Sequence, residues 1–264
     1  MSLPSVSKRC TVIGLHPVPA HLSTKEFAAK IEVLADYHLS LPVAQENFIK
    51  YDLITPSDRF DSHFKALGFP QSRPAILVKV ECKVRFRAKT SYAYPGSSRQ
   101  STEHFAQFLR DAEVVKSISG APEFAGATMH SMDGTMRIDN GSTDGSGSWI
   151  SIVDCAPHLS RSQFSQKSAD VADGITAVPI MQKNLVRHTM WVGNEALDID
   201  VQALGLPPAA SFMIAMLEAD LDPMIQALKD NGLKQFFNKL PESSWTDEFS
   251  NRFAVDVVTK LDRL

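Results

Sequence analysis

Shifted by 137 residues and laid on itself, the chain matches without a gap from His21–Glu81 to His158–Glu218. Sixteen of these 61 positions are identical, among them His21/His158, Phe27/Phe164, Asp36/Asp173, Pro42/Pro179, Asn47/Asn184 and Glu81/Glu218, where ordinary composition would give roughly 4. Apolar character persists at unlike pairs such as Leu41/Val178, Phe48/Leu185 and Val80/Leu217. A repeat of this length makes the two stretches copies of one supersecondary unit, so a fold that serves the first must serve the second. Beyond Glu81 the match resumes at an offset of 119, Phe105–Asp111 against Met224–Asp230, which leaves an 18-residue insertion between Cys82 and Glu103. The Gly-, Ser- and Asp-rich run 140–148 then reads as a linker between a first module, residues 1–139, and a second, 149–264.

Within each copy the element order can be read. Thr11–Leu15 and Trp149–Val153 are short apolar runs of buried-strand type. Ser23 with Glu26, and Ser160 with Gln163, have capping-box spacing, the hydroxyl placed for an amide at the helix start and the longer side chain reaching back. Phe27, Ile31, Leu34 and Ala35 form an apolar stripe at helical spacing, bounded by Pro42 or, in the second copy, Pro179. Asn47–Ile54 and Asn184–Val192 read as second strands, and Ala75–Val80 and Phe212–Leu217 as third. A second helix is expected at 102–118 and 222–237, and a last strand at 125–138 and 252–258. This order predicts an α+β chain of two tandem ferredoxin-like (βαββαβ) modules, each with helices on one face of an antiparallel sheet. The two bare faces can bury each other, giving within one chain the pseudo-two-fold barrel that single modules reach by dimerising. Homodimerisation of the whole chain stays open.

Composition narrows the partners. With 27 Lys and Arg against 30 Asp and Glu, the net charge of −3 gives no long-range pull toward nucleic acid or anionic lipid. Neither is expected as a partner. Cys10, Cys82 and Cys155 lie far apart with no CxxC spacing, which predicts free thiols, no metal and a reducing compartment. No apolar run has the length of a signal peptide or membrane span, so a cytoplasmic location is the expectation. Dinucleotide, P-loop, zincin and α/β-hydrolase motifs are absent from the sequence.

The segments Leu22–Phe27, Leu34–His38 and Leu41–Tyr51 resemble the EthD-like family of the dimeric α/β barrel superfamily. Its pattern runs from a strand into a helix opening with Leu-[Ser/Thr]-x-Glu-Glu-Phe, then a His-containing helix end, a Leu-Pro turn and a strand carrying a Tyr. The resemblance implies a hydrophobic cavity between sheet and helices that takes small aromatic or polyketide-like molecules. It also implies a choice among cofactor-free cyclases, decarboxylases, isomerases and monooxygenases, and haem enzymes with an axial His. Fold alone does not choose among them. The second copy departs from the pattern, with Ile175 in place of His38 and His188 in place of Tyr51.

The candidate site residues follow from chemistry that imidazole, phenol and amide groups can perform. His38, beside Tyr37 at a helix C-terminus, is placed to shuttle a proton, and the helix dipole favours its charged form by ~0.3–1 kcal/mol. His16 ends the first strand where a barrel mouth would lie, and His63 supplies another titratable ring. Tyr51, with Asn47 four residues earlier on the same strand face, would orient a ligand oxygen. Asn184 and His188 repeat that arrangement in the second copy, near Asp173. For each, a structural role as cap or satisfied core residue competes with the functional one. Asp36 and Asp173 sit at helix ends that disfavour carboxylates, so compensating cations are expected, with Lys50 and Arg187 as candidates. The Met129–Met136 run reads as core filling rather than a ligand wall. The leading expectation is a cofactor-free lyase, cyclase or isomerase acting on a small hydrophobic molecule. A haem enzyme and a non-catalytic binding or scaffold protein are the alternatives.

Overall fold

In the computed structural model, residues 10–59, 61–62, 74–83, 121–124, 126–141, 147–155, 158–194, 202, 212–220, 223, 226 and 250–263 are described. His63, the 18-residue insertion, the helix expected at 102–118 and nearly all of that at 222–237 lie outside them.

Strand β1, Cys10–Pro17, leads into α1, Thr24–Ser40. The Ser23 hydroxyl accepts from the Glu26 amide while the Glu26 carboxylate accepts from Ser23, closing the expected capping box. Phe27, Ile31, Leu34, Ala35 and His38 form the buried stripe of α1, so helical spacing alone turns His38 inward. Leu41 ends α1 in extended conformation, and Pro42 then opens a short helix, α2, Pro42–Asn47. Proline is well suited to that first helical position, where its missing N–H has no partner to lose. Strands β2, Phe48–Ser57, β3, Ala75–Cys82, and β4, Thr128–Asp139, complete the first half.

The same order recurs in β5 (Gly147–Asp154), α3 (Arg161–Ala177), α4 (Pro179–Asn184), β6 (Leu185–Gly193), β7 (Phe212–Ala219) and β8 (Ser250–Asp262). Ser160 and Gln163 again form a capping box. Two expectations need correction. Asn47 and Asn184 close α2 and α4 instead of opening strands, because a proline-started turn of helix precedes each strand. The last two residues of the expected linker, Gly147 and Ser148, are already strand.

All eight strands form one closed antiparallel barrel in the order β1-β3-β2-β8-β5-β7-β6-β4. The two four-stranded sheets thus join edge to edge, through β2 with β8 and β6 with β4, as well as facing each other across the interior. The interior is packed with Ile13, Ile54, Leu77, Ile150, Trp191, Ile214, Phe253 and other apolar residues from every strand. Two outer cores lie between the sheets and α1 or α3.

The two seams match in detail. Register skips one residue in each final strand, Lys260 in β8 and Arg137 in β4, the signature of a β-bulge that re-aims a side chain. Each skipped residue reaches the helix of the opposite half. Lys260 Nζ contacts Glu32 at 2.6 Å and Asp36 at 3.2 Å, and Arg137 pairs with Asp173. The helix-end carboxylates therefore take their cations from these strands, not from Lys50 and Arg187. Those two bridge the same seams, to Asp262 at 3.6 Å and Asp139 at 3.7 Å. Arg263 and Asn140 cap the seams with hydrogen bonds to the carbonyls of Phe48 and Leu185 respectively, at 3.2 and 2.8 Å.

Candidate functional site

Between α1 and the outer face of the first sheet lies a cavity of about 30 Å³. Its floor alternates along strands as the pleat requires: Val12, Gly14 and His16 from β1, Tyr51 from β2, Val78 and Val80 from β3. Leu34 and His38 of α1, Phe48 at the start of β2 and Met129 of β4 complete the wall. His16, His38 and Tyr51, inferred separately from sequence, are thus brought together.

His16 is 6% exposed and its Nδ1 is buried without a hydrogen-bond partner. Such an orphan costs about 1–3 kcal/mol and asks for an explanation. Its ring stands edge-on to Phe124 at 6.1 Å. Burial pushes the His16 pKa down to about 4. His38 is pushed down to about 4 as well, by burial first and the nearby charge of His16 second. The dipole of α1 favours the charged imidazole, but an effect of ~0.3–1 kcal/mol loses to burial and the neighbouring His16, which together are worth about 3 kcal/mol. Both rings are therefore neutral at neutral pH. Tyr51 is 2% exposed, and burial raises its hydroxyl pKa well above the ordinary value, with Asp36 adding to the shift. It stays a hydrogen-bond donor.

The other candidates fall elsewhere. Tyr37 packs against His38, ring centroids 6.0 Å apart, at the margin of the core and not on the cavity wall. Asn47 is buried, but its amide turns back to the Val43 carbonyl at 2.8 Å, and Asn184 does the same to Ile180. Neither side chain shares a strand face with Tyr51 or His188. His188 is buried under α3 with Nδ1 unpartnered, and burial, then Arg137, lowers its pKa to about 4. Around it the second half carries Trp149 where the first has Val12, Ser151 for Gly14, Val153 for His16 and Ile175 for His38. The paired imidazoles are thus confined to one half. Met129 lines the cavity, Met132 fills the barrel interior and Met136 is exposed, so the methionine run divides three ways.

His130 is a further buried imidazole, inside the barrel, 2.9 Å from Thr128 Oγ1 and edge-on to Phe212 at 4.3 Å. Also facing inward, Asp52 holds Lys79 at 2.9 Å and accepts from Thr259 at 2.8 Å, with Lys79 lying 5.6 Å over the Trp191 ring. Among the described residues no group of three His, Cys, Asp or Glu is arranged to hold a metal ion, and no helix is long and apolar enough to cross a membrane. As it stands the cavity admits one or two waters, and neither a haem nor a single aromatic ring fits it without opening.

No family model and no curated protein matches this chain. Among solved structures it is similar to an anthrone oxidase-like protein, at TM-score 0.55 and 12% identity over 98% of this chain and 96% of that one. A candidate monooxygenase from Fusobacterium nucleatum subsp. nucleatum aligns over 97% of both chains at TM-score 0.48 and 8% identity. At these identities the likeness concerns the fold alone. That fold is an α+β closed barrel of eight antiparallel strands, all supplied here by one chain.

Proposed function

We propose that the chain is an enzyme that moves a proton on a small hydrophobic molecule, aromatic or polyketide-like, using its own side chains without metal or organic cofactor. The supporting observation is the convergence of two neutral imidazoles, His16 and His38, on one apolar cavity. A neutral imidazole accepts a proton at neutral pH, and burial makes the resulting imidazolium a strong acid that gives the proton up again. With a carbon acid between them, one ring removes the proton while the Tyr51 hydroxyl hydrogen-bonds the enolate oxygen. Returning the proton to another carbon is an isomerisation; expelling a leaving group or attacking an internal carbonyl makes the step a lyase or cyclase reaction.

Anthrone is such a carbon acid, and the name of the similar structure makes it the first probe. The 137-residue repeat and the matched seams further support an origin by tandem duplication of a ferredoxin-like module of EthD-like kinship. In that account the second copy kept the scaffold and lost the imidazoles. Deuterium exchange into the anthrone methylene, followed by NMR, tests the chemistry. Catalysed exchange is expected to fall about 100-fold or more in His16→Ala or His38→Ala. Equal catalysis in all three chains, or none by the wild type above buffer, refutes it.

One observation favours the non-catalytic alternative. A cavity that binds a single aromatic ring measures ~150 Å³, against about 30 Å³ here. An enzyme therefore has to open this cavity, whereas a scaffold does not. Absence of both exchange and binding is the signature of the scaffold.

A further inference from the structure

We propose that the cavity opens through a notch in the sheet at Gly14, and that Gly14 and Met129 set the size of molecule admitted, resting on the reading that this cavity binds a ligand. In register, Gly14 of β1 stands directly between Val78 of β3 and Met129 of β4. Val78 and Met129 are the two lining residues that keep partial exposure; the other eight are buried. The two partly exposed walls thus flank a buried residue that has no side chain, and this is where the cavity lining comes nearest to solvent.

Backbone conformation does not call for glycine there, because Gly14 lies outside the left-handed region. Glycine within a strand weakens it and marks a close approach. Here the approach is the His16 ring, whose Nε2 lies 3.1 Å from where a Cβ would stand, with Val78 Cβ at 3.8 Å. A side chain at position 14 and the imidazole compete for one space. Of the two rims, Val78 is β-branched and held in few rotamers. Met129 is unbranched, with three rotatable bonds, and is the rim that yields.

Binding of anthrone and of the smaller indole is measured by NMR titration for the wild type, Gly14→Ala, Met129→Ala and Met132→Ala, the last a control inside the barrel. Met129→Ala is expected to tighten anthrone at least tenfold relative to indole. Gly14→Ala is expected to weaken both at least tenfold and to shift the His16 ring nitrogen resonances. Met132→Ala is expected to leave the ratio unchanged. A ratio equal in wild type and Met129→Ala, or shifted as far by Met132→Ala, overturns the notch while leaving binding intact. Binding of neither probe by any of the four chains overturns the notch together with the reading beneath it.

Discussion

Acid should unfold this protein by charging histidines that it has buried. His16, His38, His130 and His188 are each no more than 6% exposed, and burial is the main cause holding each at about 4 against 6.5 ordinarily. Between those two values the unfolded chain binds protons that the folded chain refuses. The histidine contribution to stability is therefore complete above about pH 6.5, is lost progressively as the pH is lowered, and changes no further below about pH 4, where these rings are protonated in both states. Each histidine removes about 1.4 kcal/mol per pH unit inside that window, or on the order of 3 kcal/mol across it. Four together, with His16 and His38 not independent, approach the entire ~5–15 kcal/mol by which domains are stable. Urea unfolding followed by tryptophan fluorescence between pH 7.5 and 5 measures the slope. His188→Met, similar in volume and unable to titrate, should lower that slope by about 1.4 kcal/mol per pH unit. A wild-type stability that stays flat over this range, or a slope indifferent to His188→Met, refutes the reasoning.

Two other perturbations probe the barrel. Gly134→Ala places a methyl 2.9 Å from the Trp191 indole, so the ring must shift; thermal unfolding should show a loss of about 1–3 kcal/mol, and an unchanged Tm would mean that the indole yields freely. Lys260→Met removes the contacts to Glu32 and Asp36, whose carboxylates are more than half exposed. The loss should be only about 0.2–1 kcal/mol and should shrink in high salt; a larger loss that persists in 1 M salt would point to packing instead.

Local chemistry carried the legible part of this fold. Ser23 and Ser160 announce helix starts because a capping box needs particular side chains at a fixed spacing, and both boxes form. The stripe ending in His38 follows from the 3.6-residue period. Misplacement began where tertiary structure decides. Asn47 looked like a strand residue because nothing local distinguishes the end of a six-residue helix from the strand that follows it. Lys50, the partner that sequence suggests for Asp36, lies nearby in the chain, whereas Lys260 arrives from its far end. One signal in the sequence does mark the seams: Arg137-Ile138-Asp139 and Lys260-Leu261-Asp262 match in charge and shape at an offset of 123, and that offset aligns the two bulges. The Gly14 notch was invisible because its row spans three strands that are distant along the chain.

The seams also change what the peptide between residues 141 and 147 is for. Two backbone ladders, each interrupted by a single bulge, stitch one half to the other, so a covalent link between residues 141 and 147 would govern how readily the halves meet rather than whether they stay together. Cut there, the pieces would hold as a heterodimer, and made as separate polypeptides they would find each other at a rate set by concentration.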